Sequence, residues 1–338
     1  MRAKKNDDFT RLHSIVLGIY KAFKQLCDEN SIRYFAISGT TIGAVHWGGF
    51  IPWDDDMDIA MPVEDYEKFK KLVKKLPNHL AFSEYLWFGG KLSDRRTTFT
   101  NIFYAIDPKR YNGVFIDIVP LIGLPNNSRE REAFINDLKA FQAAGLLFDR
   151  YDELDGITKE ELYDWQEKIL HSYPFGKTKY VMDFSDPRYV LETKGFLKPI
   201  EYKFEDSVIP VSSNAKADLS IQYKNFMKYP PKESRGSLHQ MLGILDLDLP
   251  YAEAEKRYAE LPGWAKDLFK AKHTNEMFYL KSLNYRAAVI DSLTKENERL
   301  RKRAEEIDVV YNSASYKLGH ALLKPISFIK RKVSKKED

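Results

Sequence analysis

The chain has 338 residues, 43% hydrophobic and 14% aromatic, enough for one large catalytic domain with appendages. A net charge of +4 is too small to argue for nucleic acid as a partner, and a single cysteine, Cys27, excludes a disulfide framework. The first residues lack the apolar stretch of a secretory signal and no charge-free run is long enough to span a bilayer, so the body is expected to be cytoplasmic.

Leu12, Ile15, Val16, Ile19, Phe23, Leu26 and Cys27 recur at helical spacing and predict an amphipathic helix over about residues 10–29. Arg33 to Ile37 reads as a strand, Gly39-Thr40 as a turn, and Thr41 to Trp47 as a short helix broken by Gly48-Gly49. Residues 50–61 then read Phe-Ile-Pro-Trp-Asp-Asp-Asp-Met-Asp-Ile-Ala-Met. Four carboxylates stand in five positions between apolar residues, where like charges repel and burial is costly. On an extended strand Asp54, Asp56 and Asp58 share one face. A divalent cation held by Asp56 and Asp58 makes this stable, and hard carboxylate oxygens select Mg2+ or Mn2+.

Val63 to Leu76 is a second amphipathic helix, acidic at its start and rich in lysine at its end, as the helix dipole favours. Segments near 80–87, 99–106 and 114–119 read as strands, 128–170 as mainly helix, 171–240 as irregular with short helices, and helix resumes from about 251. Ile290, Leu293, Asn297, Leu300, Ala304, Ile307 and Tyr311 form a heptad register with Asn297 at an a position, the pattern of a parallel homodimer. After it, 312–338 mixes apolar residues with a basic cluster suited to an anionic membrane surface. The expected divisions are a catalytic domain over 1–250, a helical region over 251–311 with the coiled coil at 290–311, and a basic amphipathic tail over 312–338.

Three pieces carry chemistry. Ile37-Ser38-Gly39-Thr40 ends a strand and enters a helix, so backbone N–H groups can approach an anion, with Thr40 or Thr41 adding a hydroxyl. Asp56-x-Asp58 is the metal pair. Asp117, inside the apolar run Val114-Phe115-Ile116-Asp117-Ile118-Val119, is a third carboxylate that can complete the cage or accept a proton from an attacking hydroxyl. Gly-Thr, then Asp-x-Asp, then a distant strand Asp is the arrangement of nucleotidyltransferases. An EF-hand loop from Asp54 would need glycine where Ile59 stands. A sugar-nucleotide glycosyltransferase also uses Asp-x-Asp on metal and stays open as an alternative.

The stretch Tyr34 to Phe69 resembles the LicD family of choline-phosphate transferases, which includes fukutin-type proteins. The resemblance rests on Ser38-Gly39-Thr40-Thr41-Ile42-Gly43-Ala44-Val45, Gly49-Phe50-Ile51-Pro52-Trp53-Asp54-Asp55-Asp56-Met57-Asp58-Ile59, Met61-Pro62 and Asp65-Tyr66. It continues through Lys91-Leu92, Thr97, the strand around Asp117 and Gln222-Tyr223-Lys224-Asn225-Phe226-Met227, covering roughly the first 240 residues. It implies a nucleotidyltransferase-like α/β (α+β) fold, a mixed sheet flanked by helices with a C-terminal helical extension. It also implies Mg2+-dependent transfer of a phospho-alcohol group, such as phosphocholine, from a CDP-alcohol donor to a cell-surface glycan acceptor, with CMP leaving. Asp56, Asp58 and Asp117 map onto the metal and catalytic carboxylates. Ser38, Gly39, Thr40, Thr41, His46, Trp53 and Lys91 are the expected substrate and phosphate contacts. His46 stands where the family has arginine, and Lys224 where it has glycine; Arg95 is a further basic candidate. The expected location is the inner face of the cell membrane, held by the tail. A non-catalytic scaffold for surface-polysaccharide assembly is the reading from another class.

Overall fold

The computed structural model describes residues 2–101, 112–151, 157–229, 231, 235, 243–260, 302 and 305. The chain divides into two compact units, Met1–Thr274 and Asn275–Asp338. The coiled-coil candidate at 290–311 and the basic tail at 312–338 lie outside the described residues, apart from Lys302 and Glu305, which are helical and exposed.

In the first unit, the apolar repeat of the N-terminal segment forms α1 (Arg2–Glu29). Its Leu12, Val16, Ile19, Tyr20, Phe23, Leu26 and Cys27 are buried, as the helical spacing requires. They pack with Tyr66 and Phe69 of α3 (Val63–Leu72) against a mixed sheet, Phe23 and Phe69 meeting edge to face at 5.3 Å. The sheet runs β3 (Leu80–Tyr85), β4 (Gly89–Asp94), β6 (Val114–Leu124), β2 (Asp58–Pro62), β1 (Phe35–Ala36), β10 (Ser207–Val211), β9 (Ile200–Phe204). β2 is parallel to β6 and antiparallel to β1, and β1 is parallel to β10. The far half of β6 pairs with β7 (Tyr180–Asp183), which pairs with β8 (Leu191–Glu192).

Strand alternation divides the apolar residues between the two faces. Ile59 and Met61 of β2 and Ile116 and Ile118 of β6 meet α1 and α3. Their neighbours Ala60, Val119 and Leu121 join Phe35, Ile37, Val181 and Phe196 in a second cluster on the opposite face. A third cluster joins Ile122, Leu124, Met182 and Phe184 to Leu138 and Phe141 of α4 (Ser128–Tyr151) and to Leu162 and Ile169 of α5 (Lys159–His171). A small second sheet pairs β5 (Thr98–Asn101) with β11 (Gly243–Asp246), and α8 (Tyr251–Ala259) follows. Among the described residues no helix is long and apolar enough to cross a membrane.

Several local expectations change. The strand expected at Arg33 to Ile37 is ladder-paired only at Phe35–Ala36, because the chain turns at once into α2 (Ser38–Ile42) and a π turn, Gly43–Trp47. The expected strand near 80–87 is one arm of a hairpin whose other arm, β4, holds two glycines and little apolar signal. The segment 171–240, expected to be irregular, contains β7 to β10, α6 (Thr193–Leu197) and α7 (Ala215–Tyr223). These strands are two to five residues long, and β9 is exposed along most of its length, so no apolar alternation marks them.

Lys224, which caps α7, has φ 55° and ψ −77°. A side chain there clashes with its own backbone, so glycine suits this position better than lysine. Lys224→Gly is expected to stabilise the protein by about 1 kcal/mol, read as a higher urea midpoint at an unchanged m-value. An unchanged or lower midpoint would mean that the cap carries no strain.

Candidate active site

The parallel register of β2 and β6 sets Asp58 directly opposite Asp117, and the antiparallel register of β4 and β6 sets Lys91 opposite the same residue. Neighbouring strands lie about 4.8 Å apart, so these charges stand side by side on one sheet face. It is the face of Ala60, Val119 and Leu121, away from α1 and α3.

The acidic run is not an extended strand from its first residue: β2 begins at Asp58. Before it, the Asp54 N–H donates to the Ile51 carbonyl at 2.9 Å and closes a turn, and Asp55 is buried. Asp56 lies between this turn and β2, outside any ladder. One carboxylate oxygen from each of Asp56, Asp58 and Asp117 then lies within 4.8 Å of the others. Burial first, then the charges of Asp56 and Asp117, push the Asp58 carboxyl well above its ordinary range. A hard divalent cation fits this donor set: it would replace mutual repulsion with shared attraction. Lys91 partly offsets the charge. Its ammonium donates to Asp117 Oδ1 at 2.6 Å and lies 3.5 Å from the centre of the Phe115 ring, with only 12% of the side chain exposed.

The Ser38–Thr41 turn holds this geometry. The Asp58 N–H donates to Thr40 Oγ1 at 2.8 Å, and the Asp117 N–H donates to the Met57 carbonyl at 2.7 Å. Gly39 leaves room for Asp54: a Cβ there would lie 2.8 Å from Asp54 Oδ2. Ser38 has φ 50°, a left-handed conformation unusual for a residue with a side chain, and its hydroxyl shares a hydrogen bond with Tyr223. Thr41 is buried, its N–H donating to the Ile37 carbonyl at 3.1 Å. From α1, His13 Nε2–H donates to the Asp54 carbonyl at 2.7 Å while its ring stacks on Phe50 at 4.3 Å. Burial lowers the affinity of His13 for a second proton. His46 and Trp53 join an aromatic group: His46 Nε2 lies 3.1 Å from Tyr229 Oη, and Trp53 packs edge to face on Trp47 at 5.8 Å.

Tyr223, one of the aromatics of the 171–240 segment that could meet a substrate, and Asp183, outside the expected set, also stand here. Tyr223 is 43% exposed as a residue, but its hydroxyl, hydrogen-bonded to Ser38, is pushed up by its sheltered position and then by the charge of Asp58. Asp183 of β7 shares a face with Val181, the face of Asp58 and Asp117, and pairs with Leu121 of β6. Val181-Met182-Asp183-Phe184 carries the same signal as Asp117, a carboxylate inside an apolar run, but a strand of four residues is too short to show periodicity. Burial pushes Asp183 up to about 6, against the lowering effect of hydrogen bonds from the Ser185 N–H and hydroxyl at 2.7 and 2.8 Å.

A carboxyl raised in the folded state favours the fold while protonated. That contribution is complete below 3.8 and is lost as pH rises through about 6. In chelator-treated protein, Asp183→Asn is expected to flatten the fall of melting temperature across this window, with Asp58 supplying what remains. A profile identical to wild type would show that Asp183 does not contribute.

Residues 31–144 match the family model described as LicD/FKTN/FKRP, nucleotidyltransferase domain. The chain is 26% identical over 256 residues to a lipopolysaccharide cholinephosphotransferase, LicD, of Haemophilus influenzae, covering 67% of this chain and 93% of that protein. It is also 40% identical over 60 residues to an uncharacterized protein of Rickettsia typhi, 17% of this chain and 19% of that one.

Proposed function

We propose that this chain, a member of the LicD family, is a phosphotransferase that moves a phospho-alcohol group, phosphocholine or a close relative, from a CDP-activated donor to a hydroxyl of a cell-surface glycan, releasing CMP. The observation that carries this reading is the convergence of Asp56, Asp58 and Asp117 beside the Ser38–Thr41 turn. The length of the match to a lipopolysaccharide cholinephosphotransferase, 67% of this chain, supports it.

Asp56, Asp58 and Asp117 would hold a divalent cation, Mg2+ or Mn2+, which when bound supplies positive charge against the phosphate oxygens of the donor. Lys91 is the site's own cation. Asp117 takes one of its three N–H donors, and a phosphate oxygen can take another. Left-handed Ser38 followed by helical Gly39 turns successive N–H groups to one side, the arrangement that cradles phosphate. Thr40 does not need to touch substrate to matter, because it fixes the backbone of Asp58. The acceptor hydroxyl attacks the distal phosphorus of the donor. Its oxygen–phosphorus bond forms as the bond to CMP breaks, and the hydroxyl proton passes to a carboxylate of the cluster.

Asp58→Asn is expected to lower Mg2+-dependent CMP release from CDP-choline by at least about a hundredfold, since the charge stabilisation at stake is several kcal/mol. Full turnover in that variant would refute the assignment. Release of UDP or GDP from a sugar nucleotide in place of CMP would favour a glycosyltransferase.

The basic tail at 312–338 is proposed to hold the enzyme on the inner membrane face, and 290–311 to pair two copies in parallel. Deleting residues 312–338 is expected to release the protein from vesicles rich in anionic lipid. Unchanged sedimentation with the vesicles would reject the tail as the anchor.

A further inference from the structure

Three large aromatic rings close on one another beside the acidic run. Trp47 ends the π turn, Trp53 immediately precedes Asp54, and Tyr229 lies beyond α7. Their ring centres are 5.8 Å apart for Trp47 and Trp53, 5.5 Å for Trp47 and Tyr229, and 6.1 Å for Trp53 and Tyr229. His46 bonds to the Tyr229 hydroxyl and packs edge to face on Trp47 at 5.4 Å, which fixes the group. An ordinary core cluster would be covered, yet Trp47 is 38% exposed and Tyr229 48%. The group already holds a cation: the Arg235 guanidinium carbon stands 5.0 Å from the centre of the Trp53 ring and 5.4 Å from that of Tyr229.

We propose that Trp47, Trp53 and Tyr229 form the subsite for a quaternary ammonium group on the transferred alcohol, and that Arg235 is its internal occupant, displaced when that group enters. The inference rests on the phospho-alcohol transfer proposed above and selects choline among the alcohols. A quaternary ammonium has no N–H to donate, so a protein recognises it by aromatic faces that attract charge. Neutral polyols such as glycerol and ribitol offer no such attraction. The spacing fits. Trp53 is three residues from Asp56, at most about 11 Å of chain, and choline sets its nitrogen two carbons from the phosphate oxygen. Arg235 competes for the same faces, so the apparent affinity for a cationic alcohol is reduced by the fraction of time the guanidinium is in place.

The test is calorimetric titration of the full chain with choline, tetramethylammonium and 3,3-dimethyl-1-butanol, the uncharged isostere of choline. Choline and tetramethylammonium are expected to bind and the neutral isostere not to. Arg235→Gln is expected to tighten choline binding severalfold. Trp47→Ala and Tyr229→Ala are expected to weaken it by about tenfold. Tyr229 is half exposed, so its truncation spares the core and gives a folded variant for comparison. Equal binding of the neutral isostere, or choline binding that Arg235→Gln leaves unchanged or weakens, overturns the proposal.

CMP release separates this inference from the reading it rests on. Turnover of CDP-choline with a KM that neither aromatic truncation moves would overturn the subsite and leave the transferase standing. Cation binding with the expected pattern, but no CMP release from CDP-choline, CDP-ribitol or CDP-glycerol, would support the subsite and overturn the transferase.

Discussion

The parallel pairing of β2 and β6 forces Asp58 and Asp117 to face each other across one strand spacing. Two carboxylates at that separation, with Asp56 closing from the loop, repel, and the Asp58 carboxyl is raised by burial first and by that repulsion second. The protein accommodates this cost because the same two strands are its best-packed elements. Every residue of β6 is buried, and Ile59, Met61, Ile116 and Ile118 are fixed against α1 and α3 on the other face. The apolar cluster holds the carboxylates together against their mutual repulsion.

Around this pair, the structure controls backbone more than side chains. Thr40 accepts from the Asp58 N–H, Met57 accepts from the Asp117 N–H, and His13 donates to the Asp54 carbonyl. Each contact fixes the chain within a residue or two of a carboxylate and leaves the carboxylates to other partners. Gly39 has the same logic in reverse: the missing Cβ makes space for Asp54. Lys91 is the exception, a side-chain cation set against Asp117 and seated on Phe115. The same three carboxylates offer oxygen donors that could hold a divalent ion.

The chemistry is divided along the chain. Asp117 belongs to the sheet, whose register is set by core packing, and Ser38–Thr41 to the helix α2 that follows β1. Trp47, Trp53 and Tyr229 belong to the turns and loops around it, where all three stay partly exposed. Under the proposed function, the rigid centre would handle phosphate and the loops would read the attached group.

The sequence by itself marked Asp56, Asp58 and Asp117 as candidate site residues. Asp56, Asp58 and Asp117 were legible because carboxylates inside apolar runs are costly and need a partner. The long helix α1 was legible because its apolar spacing runs for many turns, and β6 because its apolar run is long and continuous. The same rule applied to Val181-Met182-Asp183-Phe184 would have found Asp183, but β7 is four residues long and lies in a segment without periodicity. Only the tertiary structure decided what needs register or distant contact. Asp58 meets Asp117, 59 positions away, only through strand pairing, and Lys91 reaches Asp117 only across β4 and β6. Asp54 to Met57 lie outside the ladder, which begins at Asp58, where alternation pointed to a strand from Asp54. The aromatic group joins residues near 50 to Tyr229 and Arg235, a proximity that no local pattern encodes. Residue type and local pattern show which groups are too costly to bury alone; the fold decides which of them meet.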